Sequence, residues 1–353
     1  MIKKKFCPSS RCGRTENAMF AILKAFSSYK QGVNRAKTVT RPKTLQSTAT
    51  CKISSLKFIM AEGFSPDSEL SEIISKLWEM DDNKCFPGED YELDLQGYVC
   101  NSREVGDDYA SQSLFKYVDE EKVFSRPTYK AFRALLDNYE MDLKDEETVT
   151  WEERKENHEF LTAIMETEVM KEAHRYLVSK GAAPEDEGRF KGLLHGIWFK
   201  MFRKGGSSSP NSSSFEHVFV GEGRGEDMIG LHNWIQFYLQ EKAGNIDYHG
   251  YFRRETIRDD DIIRLLAVQF SWNGVRGKPL CSVFIGSSPE FEIAAYTVTL
   301  LLDRNGKLEV NMGEYEVELT VHSYGSSHYR KLGTAYMAAA RFDDYARKRG
   351  WHS

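Results

Sequence analysis

Two histidines in one short stretch of the chain are well suited to proton transfer. His217 lies in the apolar, β-branched run Phe215–Val220, and His232 follows it after a glycine-rich connection. Imidazoles change protonation near neutral pH, so a pair brought together by a turn can serve as general base and general acid. The alternation around His217 predicts a strand, and the spacing of apolar residues after His232 predicts a helix that begins there.

A lysine further along the chain supplies a third group for the same chemistry. Lys278 follows a glycine-bearing turn between two predicted strands, which allows its side chain to point into a cleft. An ammonium group can stabilise the charge that develops on a phosphorane, while the 2′-hydroxyl of RNA is a built-in nucleophile. A base, an acid and a cation would therefore be sufficient for metal-free cleavage of an RNA backbone.

Hydrophobic spacing and capping signals predict a helical first lobe over residues 65–203. Four helical segments are predicted: from Ser65–Asp67 onward, over 126–140, from the capping box of Thr150 and Glu153 to Gly181, and over 187–203. The serine-rich segment that follows, residues 204–214, predicts a flexible linker.

The pattern of residues 215–345 is mainly that of antiparallel strands. The short apolar run Tyr296–Leu302 predicts a buried strand, and Asp303–Gly306 carries a hairpin-turn signal. The sequence thus predicts an α+β fold, in which an N-terminal helical lobe is followed by a lobe of mainly antiparallel β-sheets with packed helices.

The first 60 residues differ in charge from the rest of the 353-residue chain. Residues 1–59 contain 13 lysines and arginines and a single acid, Glu16, whereas the whole chain has a net charge of −5. This composition predicts a disordered basic leader before a domain at 61–353, although it also resembles a mitochondrial transit peptide, and Met60 is an alternative start. The expected location is intracellular, in the cytoplasm, with mitochondrial targeting by the leader and secretion as the alternatives.

Acidic and thiol groups near residues 81–110 offer two further hypotheses. Asp81, Asp82, Glu89 and Asp90 could bind a hard cation, although the absence of EF-hand spacing favours a solvated acidic loop. Cys85 and Cys100 flank a loop within this region and could form a disulfide, whereas the lack of a dense cysteine framework or CxxC spacing favours reduced thiols.

Several short motifs resemble those of one known enzyme family. The segments FEHVFVGE, GLHNW, GKPLCS, VHSYG and GTAY occur in this order, and they resemble the EndoU-type, uridylate-specific endoribonucleases over about residues 65–345. The resemblance implies that a monomer cleaves single-stranded RNA at uridines and leaves 2′,3′-cyclic phosphate and 5′-hydroxyl ends. It also implies dependence on manganese or calcium, and no DNA or membrane partner is expected.

The resemblance assigns the catalytic roles residue by residue. The two family histidines correspond to His217 and His232, and the family lysine corresponds to Lys278. His232 is expected to be the base and His217 the general acid. His249 and His322 are expected to be structural residues.

The same resemblance assigns residues to substrate binding and support. Ser282 corresponds to the position associated with uracil recognition, and Tyr336 to the aromatic residue that stacks on the base or ribose. Glu216 and Glu222 flank the first histidine, where they would orient it or help to hold a metal.

Two other functions compete with this interpretation. His217, Glu222 and His232 could be ligands of a metal-dependent phosphodiesterase, although their spacing matches no recognised ligand pattern. A catalytically silent RNA-binding protein could keep the same fold. Product chemistry separates the first alternative, because a cyclic phosphate requires the 2′-hydroxyl, and loss of cleavage without loss of binding separates the second.

Overall fold

A computed structural model describes residues 64–99, 103–139, 141–143, 149–254, 263–324 and 331–340. The described residues belong to one compact unit with a continuous apolar core. The predictions for the leader at 1–60 and for Cys100 lie outside these ranges. Among the described residues, Cys85 is a buried free thiol rather than half of a disulfide.

Helices are the main secondary structure of the described residues before residue 200. Within the described ranges the helices are α1 (Ser68–Glu79), α2 (Glu120–Phe124), α3 (Pro127–Ala134), α4 (Trp151–Met165), α5 (Glu168–Ser179), α6 (Glu187–Trp198), α7 (Trp234–Lys242) and α8 (Pro289–Leu301). The predicted capping box of Thr150 and Glu153 is confirmed at the start of α4. The cap of α1 is Asp67, which accepts from the Leu70 amide, so this helix begins after the predicted Ser65 cap.

The described strands form three sheets. They are β1 (Tyr91–Leu93), β2 (Phe115–Val118), β3 (Glu222–Arg224), β4 (Asp227–Ile229), β5 (Ile246–Arg254), β6 (Leu265–Trp272), β7 (Arg276–Phe284), β8 (Gly306–Met312), β9 (Tyr315–Tyr324) and β10 (Lys331–Ala339). Their orders are β1-β2, β10-β9-β8 and β3-β4-β7-β6-β5. The described pairings are antiparallel except for the parallel contact of β4 with β7. The α+β prediction is therefore confirmed.

Aromatic packing joins the first helix to the second half of the chain. The Trp78 ring of α1 lies 5.0 Å from Phe284 of β7, 5.2 Å from Phe291 of α8 and 6.1 Å from Tyr315 of β9. Offset and edge-on aromatic pairs at such distances add to the stabilisation from burial. The core that supports the second half of the chain thus includes residues from the first helix.

The predicted strand at Tyr296–Leu302 is wrong, because this run belongs to the helix α8. Ser288 caps the helix by accepting from the Phe291 amide, and Pro289 occupies its first position. Every residue from Pro289 to Leu300 is buried, so the helix has no polar face and lacks the periodicity that identifies helices. Asp303–Gly306 accordingly connects α8 to β8 and is not a hairpin turn.

The predicted strand around His217 is also wrong. Residues 216–220 form one turn of π-helix that ends when the Gly221 amide donates to the Glu216 carbonyl oxygen. All five residues of the turn are buried, so the apolar alternation does not distinguish a surface face from a core face. The sequence does carry a helical signal, because Ser213 and Glu216 have the spacing of a capping box. Such π-helical turns occur frequently at functional sites.

Candidate active site

His232 lies just before helix α7, in a site built from a carbonyl group and an aromatic ring. Its Nδ1 is 3.0 Å from the Ser282 carbonyl oxygen, and its ring stacks on Tyr336 at 4.5 Å between centroids and 24° between planes. Because a carbonyl oxygen only accepts, Nδ1 carries the hydrogen and Nε2 of the neutral ring keeps its lone pair. Burial, and then the charge of Lys278, hold the pKa of His232 well below its usual range.

His217 lies in the π-helical turn, in a site built from charged groups. Its Nδ1 is 2.6 Å from Glu222 Oε2 and 2.6 Å from Lys204 Nζ. Burial lowers the pKa of His217, and the charges of Lys204 and Lys278 lower it further, whereas the hydrogen bond and charge of Glu222 oppose this decrease. The Glu222 carboxylate therefore selectively stabilises the imidazolium form of His217.

Glu222 is surrounded by hydrogen-bond donors. Ser212 Oγ donates to Oε1 at 2.5 Å, and Lys204 Nζ donates to Oε2 at 2.6 Å. Burial raises the pKa of Glu222, but the contacts with His217 and Lys204 outweigh burial and hold it below the usual range. The predicted orienting role of Glu222 fits these contacts.

Sequence reasoning did not identify Lys204 and Ser212 as site residues. Both lie in the predicted flexible linker at 204–214, whose second part, Asn211–Ser214, is buried. Ser212 also accepts, through its carbonyl oxygen, from the Phe202 amide at 2.8 Å. Serine-rich composition is typical of linkers, so no local signal distinguished this buried segment from a solvated one.

Glu216 supports the start of the turn rather than the His217 ring. Its Oε2 accepts from the Ser213 amide at 3.1 Å, and its own amide donates to Ser213 Oγ at 3.1 Å. This reciprocal pair of bonds is that of a capping box. Glu216 thus fixes the turn that carries His217.

Backbone contacts bring the two histidine segments together. The Leu231 amide donates to the His217 carbonyl oxygen at 3.1 Å, and the His232 amide donates to the Val218 carbonyl oxygen at 2.7 Å. Gly230 has a φ of +69°, and a Cβ atom there would lie 1.8 Å from the His217 carbonyl oxygen. The close approach therefore requires glycine at this position.

Strand β7 contacts three successive residues of the His232 segment, which are Gly230, Leu231 and His232. Lys278 Nζ donates to the Gly230 carbonyl oxygen at 2.5 Å, and Cys281 Sγ donates to the Leu231 carbonyl oxygen at 2.9 Å. The contact of His232 with the Ser282 carbonyl is the third. Burial lowers the pKa of Lys278, and the charge of Lys278 lowers the pKa of both histidines. The structure thus brings the predicted catalytic residues into one electrostatic unit.

The two predicted substrate-binding residues line a common cavity. Ser282 of β7 and Tyr336 of β10 border a space of about 60 Å³ between the two large sheets. Because Tyr336 also stacks on His232, this cavity adjoins the His232 side of the histidine pair. The structure therefore brings together the residues expected to read the base and those expected to move protons.

The predicted carboxylates do not fit a metal site. Within the described ranges, no group of three or more His, Cys, Asp and Glu side chains has the arrangement that could hold a metal ion. The Glu222 oxygens face donors from Ser212 and Lys204, and the ammonium group of a lysine cannot be a ligand. Neither Glu216 nor Glu222 is therefore assigned as a metal ligand.

The acidic residues at 81–90 are also not a cation site. Asp81 accepts from the amides of Asn83 and Ser288. Asp90 accepts from the Phe86 amide and forms a 2.7 Å ion pair with Lys122. Both of these aspartates are buried, whereas Asp82 and Glu89 are exposed. The predicted solvated loop therefore describes Asp82 and Glu89 but not Asp81 and Asp90.

His249 and His322 are the two histidines expected to be structural. His322 lies exposed on β9, and His249 is buried on β5.

No helix in the described ranges is both long and apolar enough to span a bilayer.

Comparisons with known proteins identify the family of this chain. Residues 69–337 match the family model of Endoribonuclease XendoU. The chain is 47% identical to uridylate-specific endoribonuclease B of Danio rerio, covering 80% of this chain and 99% of that protein. It is 48% identical to poly(U)-specific endoribonuclease-A of Xenopus laevis, covering 76% and 92%.

A solved structure has the same fold. The structure of XendoU, described as a splicing independent snoRNA processing endoribonuclease, is 45% identical and covers 78% of this chain and 99% of its own, with a TM-score of 0.69. The family model matches most of the chain, and relatives have nearly half of their aligned residues identical to it. The chain therefore belongs to the XendoU endoribonuclease family.

Proposed function

We propose that this protein is a uridylate-specific endoribonuclease that cleaves single-stranded RNA by attack of the 2′-hydroxyl on the adjacent phosphate. The names of its relatives support uridine specificity and RNA as substrate. The single observation that carries the mechanism is the difference between two adjacent buried imidazoles. One is bonded to a carbonyl oxygen and the other to a carboxylate.

His232 is the general base in this mechanism. Its Nδ1 hydrogen is directed to the Ser282 carbonyl oxygen, so Nε2 is available to take the proton from the 2′-hydroxyl. A lowered pKa keeps the ring neutral at pH 7.

His217 is the general acid. With Nδ1 directed to Glu222, the imidazolium form carries its second proton at Nε2. The new bond joins the 2′-oxygen to phosphorus while the bond from phosphorus to the 5′-oxygen breaks. The 5′-oxygen takes the Nε2 proton of His217, giving a 5′-hydroxyl and a 2′,3′-cyclic phosphate.

Lys278 stabilises the charge that develops on the phosphate oxygens. Its buried ammonium group acts electrostatically on both histidines. A phosphate that contacts both histidines must therefore lie near this group. Removing a comparable preorganised donor from other enzymes costs about 10²- to 10³-fold in rate. We expect a similar loss for Lys278→Met.

Uridine binds on the His232 side of the site. Tyr336 stacks on His232, and Ser282 lines the same cavity. The Ser282 hydroxyl can donate to a uracil carbonyl or accept from the ring N–H. Stacking on Tyr336 would be worth roughly 1–3 kcal/mol per base.

The dependence on manganese or calcium, implied by the resemblance, remains a proposal. The Glu222 carboxylate beside His217 accepts from Ser212 and Lys204, and the proton transfers are assigned to protein side chains alone. Cleavage should be compared with each cation added and with a chelator. Action as an intracellular monomer that does not cut DNA likewise remains a prediction.

End-group analysis of RNA fragments tests the mechanism. A uridine-rich single strand should yield 2′,3′-cyclic phosphate and 5′-hydroxyl ends, and a single 2′-deoxyuridine at the cleavage site should block cutting there. Cleavage at the deoxy position would overturn the mechanism and favour a metal-dependent phosphodiesterase. Binding of this RNA without cleavage, with manganese or calcium supplied, would favour a silent RNA-binding protein.

A further inference from the structure

We infer that a surface formed by Tyr324 and Lys331 against the buried ring of Phe202, here called the Tyr324 patch, binds the nucleotide on the 3′ side of the scissile phosphate. This inference rests on the proposed function, because it uses the assignment of acid and base to give the RNA a direction. The ligand is a nucleoside with its phosphate, held by an aromatic ring and an ammonium group.

The patch shares one face of a sheet with the uridine site. Tyr336 of β10 pairs with Thr320 of β9, and Tyr324 lies four residues further along β9, opposite Lys331. Side chains two and four residues apart in a strand share a face, so Tyr324 lies on the Tyr336 face at roughly 13 Å along the strand. His322 lies between them on the same face, exposed. A dinucleotide in extended conformation spans such a distance.

The chemistry of the patch is that of single-stranded RNA binding. Tyr324 is 43% exposed despite its size, and its ring meets Phe202 edge-on at 5.4 Å between centroids and 76° between planes. Lys331 Nζ lies 4.9 Å from the centre of the Phe202 ring. Burial lowers the pKa of Lys331, and the nearby charge of Lys200 lowers it further. An exposed aromatic ring stacks on bases, and neighbouring lysines attract phosphates.

Hydrogen bonds connect the patch to the acid side of the active site. The Phe202 amide donates to the Ser212 carbonyl oxygen at 2.8 Å, and the Ser212 hydroxyl donates to Glu222, the partner of His217. Glu222 also acts electrostatically on Tyr324, because burial first and then the charge of Glu222 raise the pKa of the Tyr324 phenol. The Tyr324 patch is therefore adjacent to His217 rather than to the Ser282 cavity.

The roles of the two histidines give the bound RNA a direction. His232 takes a proton from the uridine 2′-hydroxyl, so the uridine lies on the Tyr336 side. His217 gives a proton to the 5′-oxygen of the departing nucleotide, so that nucleotide lies on the His217 side. The strand thus runs 5′ to 3′ from Tyr336 towards Tyr324, and the departing base meets the Tyr324 ring.

Two small substrates that share the same uridine test this subsite. Uridylyl-3′,5′-adenosine has a departing nucleoside, whereas uridine 3′-methyl phosphate has only a methoxy group at the same bond. Tyr324→Ala should reduce kcat/KM for the dinucleotide about tenfold and leave that for the methyl ester unchanged. Tyr324→Phe keeps the stacking ring and should behave as the unmodified protein.

Tyr117→Ala is the matched control. Tyr117 is a 50% exposed tyrosine on the remote strand β2, and its loss should change neither rate. Circular dichroism and Tm should be measured to confirm that both alanine variants are folded.

The outcomes separate the subsite from the proposed function. Equal losses on both substrates, or no loss on either, with Tyr324→Ala would overturn the subsite alone. No cleavage of either substrate or of uridine-rich RNA by the unmodified protein would overturn the proposed function. Lys331→Met gives a second readout, since it should weaken binding of a trinucleotide with a further 3′ phosphate and reduce the salt dependence of that binding.

Discussion

The surroundings of His217 and His232 differ although the two residues have the same side chain. His217 contacts an ammonium group and a carboxylate through Nδ1, whereas His232 contacts a backbone carbonyl and a tyrosine ring. Both are buried, and burial lowers both pKa values, but only His217 has a carboxylate that opposes the decrease. In the proposed mechanism, the partner at Nδ1 therefore determines which of the two rings holds the proton that is donated.

The largest expected effect comes from removing either imidazole ring. A change of the leaving group then separates the roles of the two histidines. His217→Ala and His232→Ala should each reduce cleavage of uridine-containing RNA by about 10²- to 10⁴-fold. With uridine 3′-(4-nitrophenyl phosphate), the nitrophenolate departs without a proton. His217→Ala should then be nearly as active as the unmodified protein, and His232→Ala should stay inactive, as measured by nitrophenolate release.

The reverse pattern would exchange the two roles. If His232→Ala were active on the nitrophenyl ester and His217→Ala were not, His217 would be the base. RNA binding by both variants should be measured in parallel, since the loss of one ring should leave affinity largely intact.

Removing the carboxylate that distinguishes the two sites should have the next largest effect. Glu222→Gln takes away the charge that favours the His217 imidazolium, so the pKa of His217 should decrease further. The acid must be protonated to act, and the alkaline limb of kcat/KM against pH should move to lower pH. A shift of one pKa unit lowers the rate at pH 7 about tenfold.

Glu226→Gln is the control for that substitution. Glu226 is an exposed acid in the same connection, and its pH profile should match that of the unmodified protein. An unchanged alkaline limb in Glu222→Gln would contradict the role of the carboxylate in holding the proton.

On the His232 side, a substitution of Ser282 should separate recognition of the nucleobase from catalysis. Ser282→Ala removes the hydroxyl but keeps the carbonyl that binds His232 Nδ1. Loss of one hydrogen bond to the base should reduce the preference for uridine over cytidine by about tenfold, with the pH profile unchanged. A comparison of kcat/KM for paired uridine and cytidine dinucleotides measures this, and a loss of rate without a loss of preference would contradict it.

The smallest expected effect concerns Lys204. A neighbouring cation disfavours the imidazolium, so Lys204→Met should raise the pKa of His217 and move the alkaline limb to higher pH. Lys204→Arg keeps the charge and should restore the original limb. NMR titration of His217 would measure the change directly, and a decrease in its pKa would indicate that Lys204 acts mainly by holding Glu222 in place.

Residues that carry local signals were predicted well from the sequence. The capping box of Thr150 and Glu153 is present, and Lys278 follows its turn on β7. The predictions at Phe215–Val220 and Tyr296–Leu302 were wrong for one physical reason. Both segments are helical but buried on all sides, so their sequences lack the polar face that identifies a helix.

The sequence by itself determined which groups are available for chemistry: two imidazoles, an ammonium group, a serine and a tyrosine in the order of one enzyme family. Only the tertiary structure decided how those groups differ. The proton position on His232 depends on a carbonyl of Ser282, 50 residues away, and the charge around His217 depends on Lys204 from a segment that resembles a linker. Protonation and tautomer depend on atoms within hydrogen-bond distance, and folding rather than sequence proximity brings those atoms together.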